Sequence, residues 1–191
     1  LNKNKKFNFF KIDIKKKTKL KNNFDKCKYD VVIHLAAQAG VRHSIEYPET
    51  YVENNIIGFF NILEASKNIN LKHLIFASTS SVYGSSNSFP LKETENTDAP
   101  LSFYAATKKT NEVLAYSYAN IFKLPCTGLR FFTVYGTYGR PDMALFKFTK
   151  LILAGKKIDL FNKGEHHRDF THVDDIVDGI FKLIKRPSRK K

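Results

Sequence analysis

The chain has 191 residues, of which 32 are lysine or arginine and 18 aspartate or glutamate, giving a net charge of +14. An apolar content of 42% with 14% aromatic residues favours a packed globular protein over a disordered one. The basic surplus lies mainly near the two ends of the chain. Because there is no zinc-finger spacing and no RNA-binding signature, nucleic-acid binding is not expected.

The two cysteines, Cys27 and Cys126, match neither a disulfide framework nor a metal-ligand spacing, which favours a reducing compartment. No apolar run approaches the roughly 18 residues of a membrane span, and the first residues lack the order of a signal peptide. We therefore expect a cytoplasmic protein with no membrane span.

Apolar periodicity predicts strands and helices that alternate along the chain. Strands are predicted at 7–14, 28–37, 72–78, 125–132 and 157–161. Helices are predicted at 18–27, from Pro48 to about 70, and at 104–122, 143–154 and 173–185. Alternation with short connections predicts an α/β fold, a Rossmann-like doubly wound, mostly parallel sheet with helices on both faces.

Tyr104 and Lys108 are four residues apart in a predicted helix, so their side chains share one face, one turn apart. A nearby ammonium favours the phenolate and lowers a tyrosine pKa from about 10 toward neutral pH, as a general base requires. Thr79 opens the hydroxyl cluster Thr79, Ser80 and Ser81 after a predicted strand, where it can share the proton. Together these residues indicate a site that transfers a hydride and a proton between a sugar alcohol and a nicotinamide.

A dinucleotide-binding sheet opens with a strand, a Gly-rich turn and a helix whose N-terminus holds the pyrophosphate. The chain contains neither GxGxxG nor GxxGxxG. We therefore expect the first βαβ unit to lie outside this sequence. On that basis residues 1–135 form an incomplete NAD-binding domain, and residues 136–191 form part of a substrate-binding region with a returning sheet segment.

Several stretches resemble the extended short-chain dehydrogenase/reductase family, and within it the NAD-dependent nucleotide-sugar epimerases, above all the UDP-glucuronate 4-epimerases. They are VVIHLAAQAGVRHSIEYP, YVENNIIGFFNILEAS, STSSVYG, YAATKK, TGLRFFTVYGTYGRPDMALFKF and HRDFTHVDDIVDGI. The likeness covers roughly residues 7–186. It implies NAD as cofactor, a UDP-sugar as substrate, and a homodimer that pairs through the helices at about 48–70 and 103–122.

The resemblance also implies roles for cofactor-binding residues. Tyr104 and Lys108 match the catalytic pair, and Lys108 is also expected to hold the nicotinamide ribose. Asn54 or Asn55 resembles a helix asparagine near the cofactor, although either could be an ordinary solvated residue. The other residues implied at the cofactor are Asp13 and Ile14 at the adenine, Leu35, Ala36, Ala37 and Gln38 beside the ribose and pyrophosphate, and Phe131.

On the substrate side, Arg168 matches an arginine that binds the diphosphate of the sugar nucleotide. Phe132 and Thr133 match substrate-contacting positions. The hydroxyls of Thr79, Ser80, Ser81 and Thr133, together with Arg140, are expected to hold a C6 carboxylate.

The implied reaction is epimerisation at C4 through a 4-keto sugar, most closely UDP-glucuronate to UDP-galacturonate. A 4,6-dehydratase needs an acid and a base directly after the hydroxyl residue, where this chain has Ser80 and Ser81, so that reaction is disfavoured. Three alternatives stay open: a UDP-glucose or UDP-N-acetylglucosamine 4-epimerase, a non-catalytic fragment unable to bind NAD, and a binding or scaffold protein that keeps the fold for partner contacts.

No metal site is expected. His166 and His167 are adjacent in a predicted loop and lack the i, i+4 spacing of a zinc site. Asp174 and Asp175 open the last predicted helix, where capping and compensation of the helix dipole explain them.

Overall fold

A computed structural model of the chain describes residues 4–86, 88–165 and 168–186. They form two compact units, the first extending to Arg130 and the second covering Phe131–Arg186. The helices are α1 (Lys17–Cys27), α2 (His43–Glu46), α3 (Pro48–Tyr51), α4 (Gly58–Lys67), α5 (Phe103–Phe122), α6 (Ala144–Leu153) and α7 (Val173–Lys185). The strands are β1 (Val31–His34), β2 (His73–Ala77), β3 (Cys126–Leu129), β4 (Thr133–Tyr135) and β5 (Phe170–His172).

A three-stranded sheet in the order β1-β2-β3 forms the centre of the first unit. Both strand pairs are parallel, with Val31 opposite His73 and Leu74 opposite Cys126. Parallel neighbours need crossover connections, and here α2 to α4 connect β1 to β2, while α5 connects β2 to β3. The predicted α/β fold with a Rossmann-like parallel sheet is confirmed.

The main core lies where α1, α4 and α5 pack on this sheet. Phe59 and Leu63 of α4 are fully buried, as is Leu74 of β2. Phe59 and Phe76 pack with ring centroids 5.0 Å apart. This apolar layer fixes the helices relative to the sheet and so fixes the side chains at its carboxyl edge.

The predicted helix from Pro48 is continuous but contains π-helical turns at Val52–Ile57, between α3 and α4. Such turns add a residue to the helical repeat and are frequent at functional sites. Gly58 follows them, and a Cβ at that position would lie 2.6 Å from Cδ1 of Ile14. Glycine therefore lets the segment that carries Ile14 lie directly on the helix.

Two predicted strands are wrong. Residues 7–14 join no ladder in the described chain, although Ile12 and Ile14 pack against the core. Residues 157–161 also form no strand, and a 3-10 turn covers Phe161–Gly164. Apolar alternation is insufficient without a partner, because a strand is held by hydrogen bonds to its neighbour.

The predicted strand at 125–132 ends at Leu129, and the chain then enters the second unit. There β4 pairs in parallel with β5, a strand that was not predicted because three residues show no periodicity. Neither α6 nor α7 contains a buried residue. Among the described helices, none is long and apolar enough to cross a membrane.

Candidate active site

Helix α5 presents Tyr104 and Lys108 at its N-terminal end. The hydroxyl of Ser102 accepts a hydrogen bond from the Ala105 N–H at 3.1 Å and so caps the helix. One turn after Tyr104, Lys108 is 2% exposed, and its Nζ donates to the carbonyl oxygen of Ala77 at 2.9 Å. Burial lowers the pKa of Lys108 to about 8. Its ammonium is thus held at the end of β2.

Thr79 follows the same strand end. The Ser78 N–H donates to the Leu129 carbonyl at 2.8 Å, which extends the ladder by one residue beyond β2. Thr79 is buried, and its Oγ1 accepts a hydrogen bond from the Ser81 N–H at 3.2 Å, opening a 3-10 turn at Ser80–Tyr83. Thr79 and Lys108 therefore lie at the same carboxyl edge of the sheet, where parallel α/β folds place their ligand sites.

His34 ends β1 at this edge. It is buried beside Phe59, with ring centroids 5.4 Å apart. Burial, and then the positive charge of Lys108, lower the pKa of His34 to about 4. The imidazole is neutral at pH 7, so it adds no second positive charge beside Lys108.

Asn55 connects the loop after β1 to helix α5 by hydrogen bonds. Its Oδ1 accepts from the Gln38 N–H at 2.8 Å, and its Nδ2 donates to the Gln38 carbonyl at 3.0 Å and to Thr107 Oγ1 at 3.1 Å. Asn54 instead donates to the Thr50 carbonyl of its own helix at 2.7 Å. Of the two asparagines that the sequence suggested, Asn55 is the one that contacts the predicted cofactor loop.

Two further residues, Ser44 and Tyr51, hold the loop after β1 and the start of α5 by hydrogen bonds, and no sequence pattern pointed to them. Ser44 is fully buried, and its Oγ accepts from the Tyr104 N–H at 3.1 Å while donating to the Val41 carbonyl at 2.6 Å. The Tyr51 hydroxyl donates to the Gly40 carbonyl at 2.7 Å. The only sequence signal was that Ser44 and Tyr51 flank Pro48, in stretches already quoted for the family resemblance.

The remaining predicted cofactor residues of the first unit are more exposed. Asp13 is exposed, and its Oδ1 accepts from the Lys15 N–H at 2.9 Å in a local turn. Ile14 is half-buried, and its carbonyl accepts from Asn61 Nδ2 at 2.9 Å. The loop residues lie next to β1, with Leu35 and Ala36 exposed and Ala37 and Gln38 half-buried.

The second unit contains the other predicted residues. Phe131 and Thr133 are half-buried, and Thr133 lines an apolar cavity of about 400 Å³ between β4 and α6. Arg140 also lines this cavity, but its guanidinium is paired with Asp142 through two hydrogen bonds. Arg168 is exposed.

His166 and His167 lie outside the described residues. Within the described ranges there is no group of three or more His, Cys, Asp or Glu side chains that could hold a metal ion. The His172 side chain accepts a hydrogen bond from the Asp174 N–H at 3.3 Å and caps α7, whose first turn carries Asp174 and Asp175.

The donor set at the sheet edge fits the nicotinamide end of a dinucleotide. An ammonium has three protons, and the hydrogen bond from Lys108 to Ala77 uses one of them. The others can be donated to ribose hydroxyls. The fit concerns this end alone, because the sequence contains no Gly-rich turn for a pyrophosphate.

A parallel sheet with Thr79, Tyr104 and Lys108 at its carboxyl edge defines a protein of the short-chain dehydrogenase/reductase class. A family model, the NAD dependent epimerase/dehydratase family, matches residues 1–191. The chain belongs to this family, and the predicted family membership is confirmed.

Among curated relatives, the chain is 54% identical over 182 residues to "Protein CapI" of Staphylococcus aureus, covering 95% of this chain and 54% of the relative. It is 52% identical over 158 residues to a "Probable UDP-glucuronate 4-epimerase" of Rhizobium meliloti, covering 83% and 46%. The chain thus spans about half the length of the curated relatives it matches.

The chain is also similar to solved structures of nucleotide-sugar 4-epimerases. The UDP-glucuronic acid 4-epimerase from Bacillus cereus, in complex with UDP-glucuronic acid and NAD, superposes with a TM-score of 0.89 at 39% identity, covering 99% of this chain and 58% of that one. The UDP-glucose 4-epimerase of Thermotoga maritima with UDP-glucose gives 0.90 at 32% identity, covering 96% and 61%.

Proposed function

We propose that this chain carries the catalytic site of an NAD-dependent 4-epimerase of nucleotide sugars, with UDP-glucuronate as substrate and UDP-galacturonate as product. The observation that carries the proposal is the buried Lys108, one helical turn from Tyr104 and at the sheet edge that also presents Thr79. The relatives named for UDP-glucuronate 4-epimerase activity support the choice of sugar.

In the proposed reaction Tyr104 accepts the proton of the sugar C4 hydroxyl. The Lys108 ammonium stabilises the phenolate, and Thr79 hydrogen-bonds the reacting oxygen. NAD, when bound, would accept the hydride from C4 of the sugar and return it. When the 4-keto sugar is reduced on its other face, Tyr104 returns the proton to the C4 oxygen, which leaves the configuration at C4 inverted.

Specificity for a sugar acid rests on hydroxyl donors more than on charge. Thr79, Ser80 and Ser81 offer three hydroxyls at the sheet edge, whereas Arg140 is paired with Asp142. The structural likeness to a UDP-glucose 4-epimerase favours a neutral sugar as the second candidate substrate. Comparing turnover of UDP-glucuronate, UDP-glucose and UDP-N-acetylglucosamine decides between them.

We also propose that two copies pair through the continuous helix from about 48 to 70 and through α5, as the family resemblance implies. Helix α5 exposes Val113 and Tyr116, at 56% and 73%, which supplies apolar surface for such a contact. The cytoplasmic location remains a prediction.

The test is the Tyr104→Phe variant, which removes the phenol oxygen and keeps the ring. Loss of a general base lowers turnover about 10²- to 10⁴-fold, while NAD affinity measured by calorimetry should fall far less, because the variant keeps Lys108 and the ring of Tyr104. Tyr138→Phe is the matched control, since Tyr138 is fully exposed and lies outside the proposed dimer contact. Turnover that survives Tyr104→Phe would refute the proposal, and a folded chain that binds no NAD would support the fragment alternative.

A further inference from the structure

A polar cluster around Glu112 lies further along the face of α5 that carries Tyr104 and Lys108, and it takes no part in the proposed chemistry. Glu112 accepts hydrogen bonds from Ser78 Oγ at 2.5 Å and from Arg130 Nε at 3.0 Å on Oε1, and from Arg130 Nη2 at 2.8 Å on Oε2. Arg130 also donates to the Glu93 carbonyl at 3.2 Å and lies 5.0 Å from the centroid of the Tyr83 ring.

Residues spaced one turn apart on α5 contact consecutive residues at the end of β2. Tyr104, Lys108 and Glu112 are spaced at i, i+4 and i+8 on α5 and therefore share one face. Lys108 bonds the carbonyl of Ala77, and Glu112 bonds the hydroxyl of Ser78, which is the next residue. Thr79 follows immediately, so two helix side chains hold the two residues that lead into it.

The ion pair with Arg130 keeps Glu112 ionised, so that its carboxylate can accept the hydrogen bond from Ser78. Burial acts to raise the pKa of Glu112, but hydrogen bonds from Arg130 and then Ser78 outweigh it and hold the pKa below its usual value. Arg130 bonds both carboxylate oxygens, a bidentate geometry that fixes the orientation of both groups. The side chains of Arg130 and Glu112 are 19% and 16% exposed, so solvent screens the pair only weakly.

We propose that Glu112 is a positioning residue, which through Ser78 holds Thr79 and the Ser80–Tyr83 turn against the helix face that carries Tyr104 and Lys108. Its effect on catalysis rests on the proposed function, because only then is Thr79 a reacting group. A hydroxyl misplaced by a fraction of an ångström loses alignment with the reacting oxygen, which lowers kcat without weakening substrate binding to the same degree.

The decisive variant is Ser78→Ala, which removes one hydrogen bond and leaves Glu112 paired with Arg130. Tyr118→Phe is the matched control, because Tyr118 also lies on α5 and its hydroxyl donates a hydrogen bond of the same 2.5 Å length to Glu64 of α4, away from the strand end. We expect kcat to fall about tenfold in Ser78→Ala, with KM within about twofold, and to stay at the wild-type value in Tyr118→Phe.

Amide hydrogen exchange supplies a readout that needs no turnover. The Ser81 N–H donates to Thr79 Oγ1 and the Val82 N–H to the Thr79 carbonyl, so both amides report on the turn. We expect them to exchange about tenfold faster in Ser78→Ala and unchanged in Tyr118→Phe.

The two readouts separate failure of this proposal from failure of the proposed function. Wild-type exchange rates in Ser78→Ala overturn the positioning role, whether or not the chain is active. In an active chain, a wild-type kcat in Ser78→Ala also overturns it, as does an equal loss in Tyr118→Phe. If the wild-type chain turns over no nucleotide sugar, the function fails, and faster exchange at Ser81 and Val82 still supports the structural part.

Discussion

The two units of the chain differ in what they bury. In the first unit Leu63, Leu74 and Ile75 are fully buried, and so are polar residues such as Ser44 and Thr107. In the second unit no residue whose side chain the structure describes is buried, and Leu153 and Val177 are 83% and 57% exposed. Buried side chains are held in one arrangement by their neighbours, so we expect the first unit to be rigid and the second to open more readily.

Buried polar residues add to this difference between the units, because several of those in the first unit lie around the site. Asn55 contacts Gln38 and Thr107, and Ser44 contacts Tyr104. A buried polar group without a partner destabilises a fold by about 1 to 3 kcal/mol, so each of these bonds both specifies the fold and positions the site. The second unit has a cavity and an exposed helix face, but no comparable buried network among its described residues.

The largest expected effect is on the free energy of unfolding when a leucine of each unit is replaced by alanine. Leu74→Ala, at a fully buried strand position, should lower the free energy of unfolding by about 2 to 5 kcal/mol. Leu153→Ala, at a position that is 83% exposed, should change it by less than about 0.5 kcal/mol. Urea denaturation followed by circular dichroism measures both. Similar losses in the two variants would show that Leu153 is buried in solution.

A second prediction measures how much the burial of the charged Lys108 side chain lowers the stability of the fold. Its pKa falls from 10.5 to about 8 in the fold, so between these values the unfolded chain holds a proton that the folded chain has lost. Stability therefore rises with pH across this window, by on the order of 3 kcal/mol in total, and this rise should be missing in Lys108→Met.

The measurement is the difference between wild-type and Lys108→Met stability from pH 7 to 10.5. Cys126 and Tyr29, whose pKa values burial raises to about 12, titrate in the opposite sense in both proteins and cancel in the difference. His34, with a pKa of about 4, stays neutral throughout. Parallel curves for the two proteins would mean that Lys108 is solvated in solution.

Residue patterns predicted most of the first unit because its elements are long or strongly apolar. Helix α5 and strand β2 were located nearly to their ends, and the Tyr104–Lys108 spacing carried directly into three dimensions. Both features depend on local periodicity, which a sequence displays.

What the sequence could not predict depends on partners distant in the chain. The choice between Asn54 and Asn55 depends on the π-helical turns, which determine the asparagine that faces Gln38. Ser44 acts on Tyr104 across 60 positions, and β5 exists because β4 lies beside it. Residues 7–14 show the converse case, in which an apolar pattern has no ladder partner in the described chain.

The smallest expected effects come from two helical glycines, one in each unit. Gly179 lies within α7, and a Cβ there would meet no atom within 4 Å. Gly179→Ala should therefore raise the free energy of unfolding by about 0.5 to 1 kcal/mol, since alanine restricts the unfolded chain and favours the helix. At Gly58 the same helical gain is opposed by contact with Ile14, whose Cγ1 and Cδ1 would lie 2.8 and 2.6 Å from the new Cβ.

Overpacking of this kind costs about 1 to 3 kcal/mol, so Gly58→Ala should lower stability by about 1 kcal/mol while Gly179→Ala raises it. Thermal unfolding of the two variants measures the sign. Because Ile14 is a predicted adenine contact, Gly58→Ala should also weaken NAD binding, whereas Gly179→Ala should leave it unchanged. Stabilisation by both substitutions would mean that Ile14 moves away without cost. The dense packing that distinguishes the first unit from the second would then not extend to the segment carrying Ile14.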